Sequence, residues 1–202
     1  MKEKNTTILT IVAIVTLLVA VIGSAYAYFK STHDSNKSQK VKLTTKTVDS
    51  TTFNAGSKIE FEVNQDDFKK SGGVAYKEGT NTAIVTFRSR NDKSSSSNYK
   101  ICLNITSNDF VSTGVSNELV LNVTRNNETI MSNYNLIGKN NQEICFPTSN
   151  GGSSTTQTIN AGANITTQDV WKTTVRFTNS TTIDQNENTN KTFNATINLK
   201  NA

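Results

Sequence analysis

From residue 41 onward, hydrophobic and polar positions alternate with a period of two. KIEFEV places Ile59, Phe61 and Val63 on one face and Lys58, Glu60 and Glu62 on the other. TAIVTFRSR sets Ala83, Val85 and Phe87 against Thr86 and Arg88. YKICLNIT, ELVLNVTR and ETIMSNYNLI repeat the pattern, with Asn126-Asn127 as a tight turn between the last two. VWKTTVRFTN alternates Trp171, Thr173, Val175 and Phe177 against Lys172, Thr174 and Arg176. KTFNATINLK alternates Phe193, Ala195, Ile197 and Leu199 against Asn194, Thr196 and Asn198. A period of two describes an extended strand with one buried and one wet face. Several such runs joined by turn-rich connectors predict an all-β fold, an antiparallel β-sandwich of jelly-roll or immunoglobulin-like kind, over residues 41–202. NDKSSSSN, TSNGGSS and DQNENTN read as loops by composition, and DDFKKSGG has room for one helical turn.

The first 29 residues break this pattern. Met1-Lys-Glu-Lys runs into the apolar block Ile8–Phe29. A basic start, a long apolar stretch and the triplet Ala25-Tyr26-Ala27 are the parts of a secretory signal, with cleavage expected between Ala27 and Tyr28. As an N-terminal hydrophobic helix, the same block is long enough to cross a hydrocarbon layer about 30 Å thick and act as a signal-anchor. In both readings the remainder is exported to the cell surface or beyond. Residues 30–40 (KSTHDSNKSQK) hold no large apolar group and read as a polar, basic stalk.

Composition supports this division. Thr, Asn and Ser dominate the body, with one proline (Pro147) and one tryptophan (Trp171). Thr suits strands through its branched β-carbon and Asn suits turns, so helix bundles are disfavoured. The net charge of +5 has a local source in Lys30, Lys37, Lys40, Lys42 and Lys46, nearly unopposed except by Asp34. Such a cluster is either a solvated spacer or a surface for an anionic membrane or wall polymer. Nucleic acid is not an expected partner, since aromatic and basic residues do not interleave. Two cysteines in an exported chain fit one disulfide, Cys102 to Cys145, against the alternative of two free thiols. Both alternate against their apolar neighbours, so both are expected to face away from the core, pinning a strand to a neighbouring loop.

Catalytic chemistry finds little to build on. The one histidine, His33, lies in the stalk, so neither a nucleophile–imidazole pair nor a histidine zinc site is expected. Asp66-Asp67 are adjacent and point apart. Asp184-x-Asn186-x-Asn188 matches the first ligand positions of a calcium loop, but Thr189 stands where glycine is needed and Ala195 where the bidentate glutamate belongs. An Asn-rich loop between the last two strands is the plainer reading. The sequons at Asn104, Asn122, Asn127, Asn164, Asn179, Asn190 and Asn194 follow from a chain rich in Asn and Thr. Trp171 and the in-phase phenylalanines read as core. No enzyme, cofactor or metal is expected.

Gly23-Ser24-Ala25-Tyr26-Ala27-Tyr28-Phe29, followed by Thr52-Phe53-Asn54-Ala55-Gly56 and an alternating strand, resembles the start of TasA/camelysin-type signal-bearing surface proteins of Gram-positive bacteria. The body, from ELVLNVTR through Ile159–Gly162, taken as a turn, to KTFNATINLK, looks like small exported Firmicutes surface proteins. Lys30-Ser31 follows the Tyr-Phe step where that family often has an acidic residue. The resemblance implies export, a jelly-roll-like sandwich and assembly into biofilm-matrix or surface fibres by strand addition. Lys40–Val48 is the candidate donor, or else the first strand of its own sheet. The alternative function is a membrane-anchored binding or adhesion module with its hydrophobic N-terminus uncut.

Overall fold

A computed structural model describes residues 41–44, 49–68, 75–89 and 93–202, all within the compact unit Ser38–Ala202. The hydrophobic segment, Ala25, Ala27, Tyr28 and His33 lie outside the described residues. Among the described residues, no helix is long and apolar enough to cross a membrane.

Eleven strands are described: β1 Val41–Thr44, β2 Ser50–Asn54, β3 Ile59–Val63, β4 Tyr76–Arg88, β5 Ser95–Asn108, β6 Leu119–Arg125, β7 Glu128–Asn135, β8 Glu143–Cys145, β9 Gln157–Ala161, β10 Thr166–Thr178 and β11 Lys191–Asn201. They form two antiparallel sheets. Sheet A runs β1-β2-β4-β10-β6-β7, and sheet B runs β3-β11-β5-β8, with β9 also on β5. β8 and β9 lie end to end along one side of β5, pairing with residues 102–104 and 95–99.

The alternation explains the packing. Ala83, Val85 and Phe87 of β4, Trp171, Thr173, Val175 and Phe177 of β10, and Phe193, Ala195 and Ile197 of β11 are all buried, as the period of two predicts. Phe61, Phe68, Phe110, Phe177 and Phe193 form linked ring contacts in one part of the core. Tyr99, Phe146 and Trp171 form another group, with Tyr99 edge-on to the indole. Burying these rings against each other is the main drive that holds the sheets face to face.

Turn chemistry sets the connections. Asn126 and Asn127 have φ of 50° and 70°, and Arg125 pairs with Glu128 across them. Two left-handed residues in a two-residue loop match the twist of a hairpin, and Asn tolerates that conformation better than most residues. Gly56, at the end of the Thr-Phe-x-x-Gly motif, has φ of 70°, and a Cβ there would collide with the Thr82 carbonyl. The glycine is therefore required both by conformation and by close approach. Gln65–Phe68 forms a single 3₁₀ turn that overlaps the start of DDFKKSGG, the segment with room for one helical turn.

Three local expectations need correction. Ser95–Asn98, read as loop from its serine run, is the start of β5, because β9 supplies it with a backbone partner. Ile159–Gly162, read as a turn, is mostly strand: Ile159 and Ala161 point inward from β9. Cys102 does lie outside the core cluster, yet it is fully buried. Its sulfur is bonded to Cys145 directly across the strand pair, so the disulfide joins β5 to the strand β8 rather than to a loop. Val41–Thr44, within the candidate donor segment, pairs with β2 as the edge of its own sheet.

Candidate functional site

Strand parity brings a set of polar groups together between the sheets. Asp169 and Trp171 point inward from β10, Arg125 from the end of β6, Tyr99 from β5 and Gln157 from β9. Asp169 Oδ2 accepts from Tyr99 Oη at 2.7 Å and from Arg125 Nη2 at 2.6 Å. Its Oδ1 accepts from Asn126 Nδ2 at 2.8 Å. The Trp171 indole N–H donates to Tyr99 Oη at 3.1 Å, and the Arg125 guanidinium lies 5.6 Å from the centre of the indole ring. Arg125 also donates to Gln157 Oε1 and to the Thr158 carbonyl. Gln157 Nε2 in turn donates to the carbonyls of Phe146 and Pro147.

Charge and burial tune these groups. Burial, reinforced by the hydrogen bond to Asp169, pushes the Tyr99 phenol well above its ordinary range. Burial alone would lower the Arg125 guanidinium, but the hydrogen bond and charge of Asp169 outweigh it, and the net shift is upward. The cation and the phenol therefore hold fixed charge states near neutral pH. Each oxygen of Asp169 already accepts from protein donors. This arrangement ties β5, β6, β9 and β10 together; its groups are engaged with each other rather than aimed at a ligand.

A second buried carboxylate, Glu118, organises the loops at another place. It accepts from Thr113 Oγ1 at 2.7 Å, the Thr113 N–H at 2.9 Å, Gln185 Nε2 at 2.8 Å and Asn188 Nδ2 at 3.0 Å. Two residues of this constellation come from the DQNENTN segment, whose calcium-like spacing is put to other use. Asp184 Oδ1 accepts from the Asn186 N–H at 2.9 Å, and Asn188 Oδ1 accepts from the Val111 N–H at 2.9 Å. Asn188 is fully buried as a strut between the loop and residues 111–118. A hollow of about 360 Å³ nearby is lined by Ser112, Thr113, Asp184, Asn186 and Glu187. Asp66 and Asp67 do not act as a pair: Asp67 accepts from the Asn64 N–H and from Lys77 Nζ at 3.0 Å.

A groove of about 420 Å³ lies where an edge of each sheet comes close. Ile130, Met131 and Tyr134 of β7 line one side, and Ile144, Cys145 and Pro147 the other. Glu143 stands beside the disulfide and is ion-paired with Lys200 of β11.

Sequence reading named the two cysteines but passed over Asp169, Arg125, Glu118 and Gln157. A signal was present for two of them. Counting by twos from Trp171 makes Asp169 inward, and counting by twos from Val123 makes Arg125 inward. Two opposite charges at core positions have to meet or be destabilising. No protein-family model matches the chain, and no curated protein matches it significantly.

Proposed function

We propose that this chain is an exported, non-enzymatic structural protein of the cell surface, a subunit of a biofilm matrix or surface fibre. The observation that carries this reading is the N-terminal edge of sheet A. There β2 is closed only by the four residue pairs of β1, the strand that directly follows the basic stalk. A short terminal strand joined to its sheet by one ladder can be exchanged for the same strand of a neighbour, because the contacts made are identical. Three of the other described edges are guarded. β7 shifts register around Asn133, whose φ is 52°, β8 is three residues long, and β3 exposes Glu60 and Glu62. The buried polar clusters support the same reading, since their groups are engaged in joining strands and loops to each other.

The finer fold in this reading is jelly-roll-like. Successive strands from β2 to β6 change sheet at each step, and β11 returns between β3 and β5. The lysines of residues 30–46 would lie against an anionic membrane or wall polymer. The groove between β7 and β8 favours the second reading, a membrane-anchored binding module. The two separate on the intact mass and N-terminal sequence of the native protein, followed by negative-stain microscopy. A start at Tyr28 with filaments that vanish on deletion of residues 38–48 supports the subunit. Retention of Met1 in the membrane fraction, with dispersed particles, refutes it.

A further inference from the structure

We propose that reducing the Cys102–Cys145 disulfide turns the outer face of sheet B into a three-ligand site for a thiophilic divalent cation such as Zn²⁺. The ligands are Cys102 Sγ, Cys145 Sγ and a carboxylate oxygen of Glu143. These three ligand atoms all lie within 4.8 Å of one another. The convergence follows from strand geometry. Glu143 and Cys145 are two apart on β8 and so share a face, while Cys102 stands directly opposite Cys145 on β5. The neighbouring Phe146 N–H donates to the Ile101 carbonyl at 2.9 Å, which makes Cys102 and Cys145 a non-hydrogen-bonded pair, the kind whose side chains lie closest. Two thiolates and a carboxylate are a ligand set for Zn²⁺, with the fourth position left to water.

The chemistry balances with one co-reactant, a dithiol reductant. The dithiol gives two electrons and two protons to the S–S bond; two protein thiols form and the dithiol becomes a disulfide. Cation binding then releases both thiol protons, as each sulfur becomes a thiolate ligand. Strand β8 has reasons to stay in place once the S–S bond is gone. The Phe146 N–H and Ile105 N–H bonds to β5 and to the Gln142 carbonyl persist, and Phe146 remains fully buried. Lys200, ion-paired with Glu143, competes with the cation for the carboxylate. Its ammonium therefore weakens the site while also offsetting its negative charge.

The test uses the full exported chain, oxidised or reduced with a phosphine, titrated with Cd²⁺ and with Zn²⁺ against a chromophoric chelator. The expected result is one equivalent bound with a thiolate-to-Cd²⁺ charge-transfer band in the reduced form only, about 100-fold tighter than in the oxidised form. Glu143→Gln weakens binding about 10-fold, a loss of the size metal-site perturbations give. Lys200→Ala strengthens it, a change that a merely structural carboxylate would not produce. Zn²⁺ raises the melting temperature of the reduced protein and leaves that of the oxidised protein unmoved. The proposal is overturned if the reduced chain binds no more cation than the oxidised chain. It is equally overturned if Glu143→Gln and Lys200→Ala both leave the affinity unchanged. Loss of the native Trp171 emission on reduction also overturns it, because the site needs β8 paired to β5.

Discussion

Replacing Asp169 with Asn should destabilise the domain by about 3 kcal/mol, the lower end of the range for breaking a buried ion pair. The side chain of Asp169 is 5% exposed and that of Arg125 21%, so some water reaches the cation and keeps the loss from being larger. An amide cannot replace the carboxylate in either orientation. With its nitrogen in place of Oδ1, it faces the Asn126 amide nitrogen, two donors together. Asn126 cannot turn to help, because its own Oδ1 is held by the Val170 N–H at 2.8 Å. With its nitrogen in place of Oδ2, it faces the Arg125 guanidinium, and the Tyr99 hydroxyl loses its acceptor while still receiving the indole N–H. One buried cation is left uncompensated whichever way the amide turns. At about 2–4 °C per kcal/mol for a domain of this size, the melting temperature should fall by about 6–12 °C. Urea unfolding followed through Trp171, the one tryptophan of the chain, reads both the local and the global change. The double variant Arg125→Met with Asp169→Asn should recover part of the loss, since the uncompensated charge is gone. A loss below about 1 kcal/mol, or strictly additive single effects, would refute the view that these groups form one coupled network.

Raising the pH should destabilise the protein through Tyr99. Its folded-state pKa lies above the unfolded value of about 10, so its contribution is complete below pH 10 and declines as pH rises, by up to about 1.4 kcal/mol per pH unit. Urea midpoints between pH 9 and 11 should therefore fall less steeply for Tyr99→Phe than for the parent; equal slopes count against the assignment. Removing the disulfide, whose cysteines are 43 residues apart, should cost about 4 kcal/mol by loop-closure entropy, measured as the shift in urea midpoint between oxidised and Cys102→Ser/Cys145→Ser protein. Thr173→Val should stabilise by about 1 kcal/mol, because the buried Oγ1 has no hydrogen-bond partner and valine keeps the shape. A loss of similar size would mean that the hydroxyl bonds Asn81, the residue opposite it on β4. Asn127→Gly should gain about 0.5 kcal/mol by relieving the left-handed backbone, whereas Asn126→Gly should lose stability through its bonds to Asp169 and Val170. Thermal melts of the two variants in opposite directions are the check.

How much of this was legible in the sequence follows the range of the interactions. The inward faces of β4, β10 and β11 were readable residue by residue, because burial depends only on parity once a strand exists. The Asn126-Asn127 turn was readable because a two-residue hairpin is decided by the backbone preferences of its own two residues. Ser95–Asn98 was not, since its composition is that of a loop and its strand state comes from Gln157–Ala161, some sixty residues away along the chain. The candidate site divides along the same line. Parity alone puts Arg125 and Asp169 inward, but it takes the register Trp171↔Arg125 to set the cation two residues along from the acid on the adjacent strand. It takes β5, from the other sheet, to bring the Tyr99 hydroxyl between acid and indole. The disulfide shows the remaining case. The outward parity of Cys102 and Cys145 was visible, and an even count in a chain expected to be exported made pairing reasonable. What no local pattern carries is that Glu143 shares the outward face of Cys145 opposite Cys102, since β8 is only three residues long and its strand state depends on β5. A group of three ligands drawn from two strands exists only once that ladder forms, so its chemistry belongs to the fold and not to any motif.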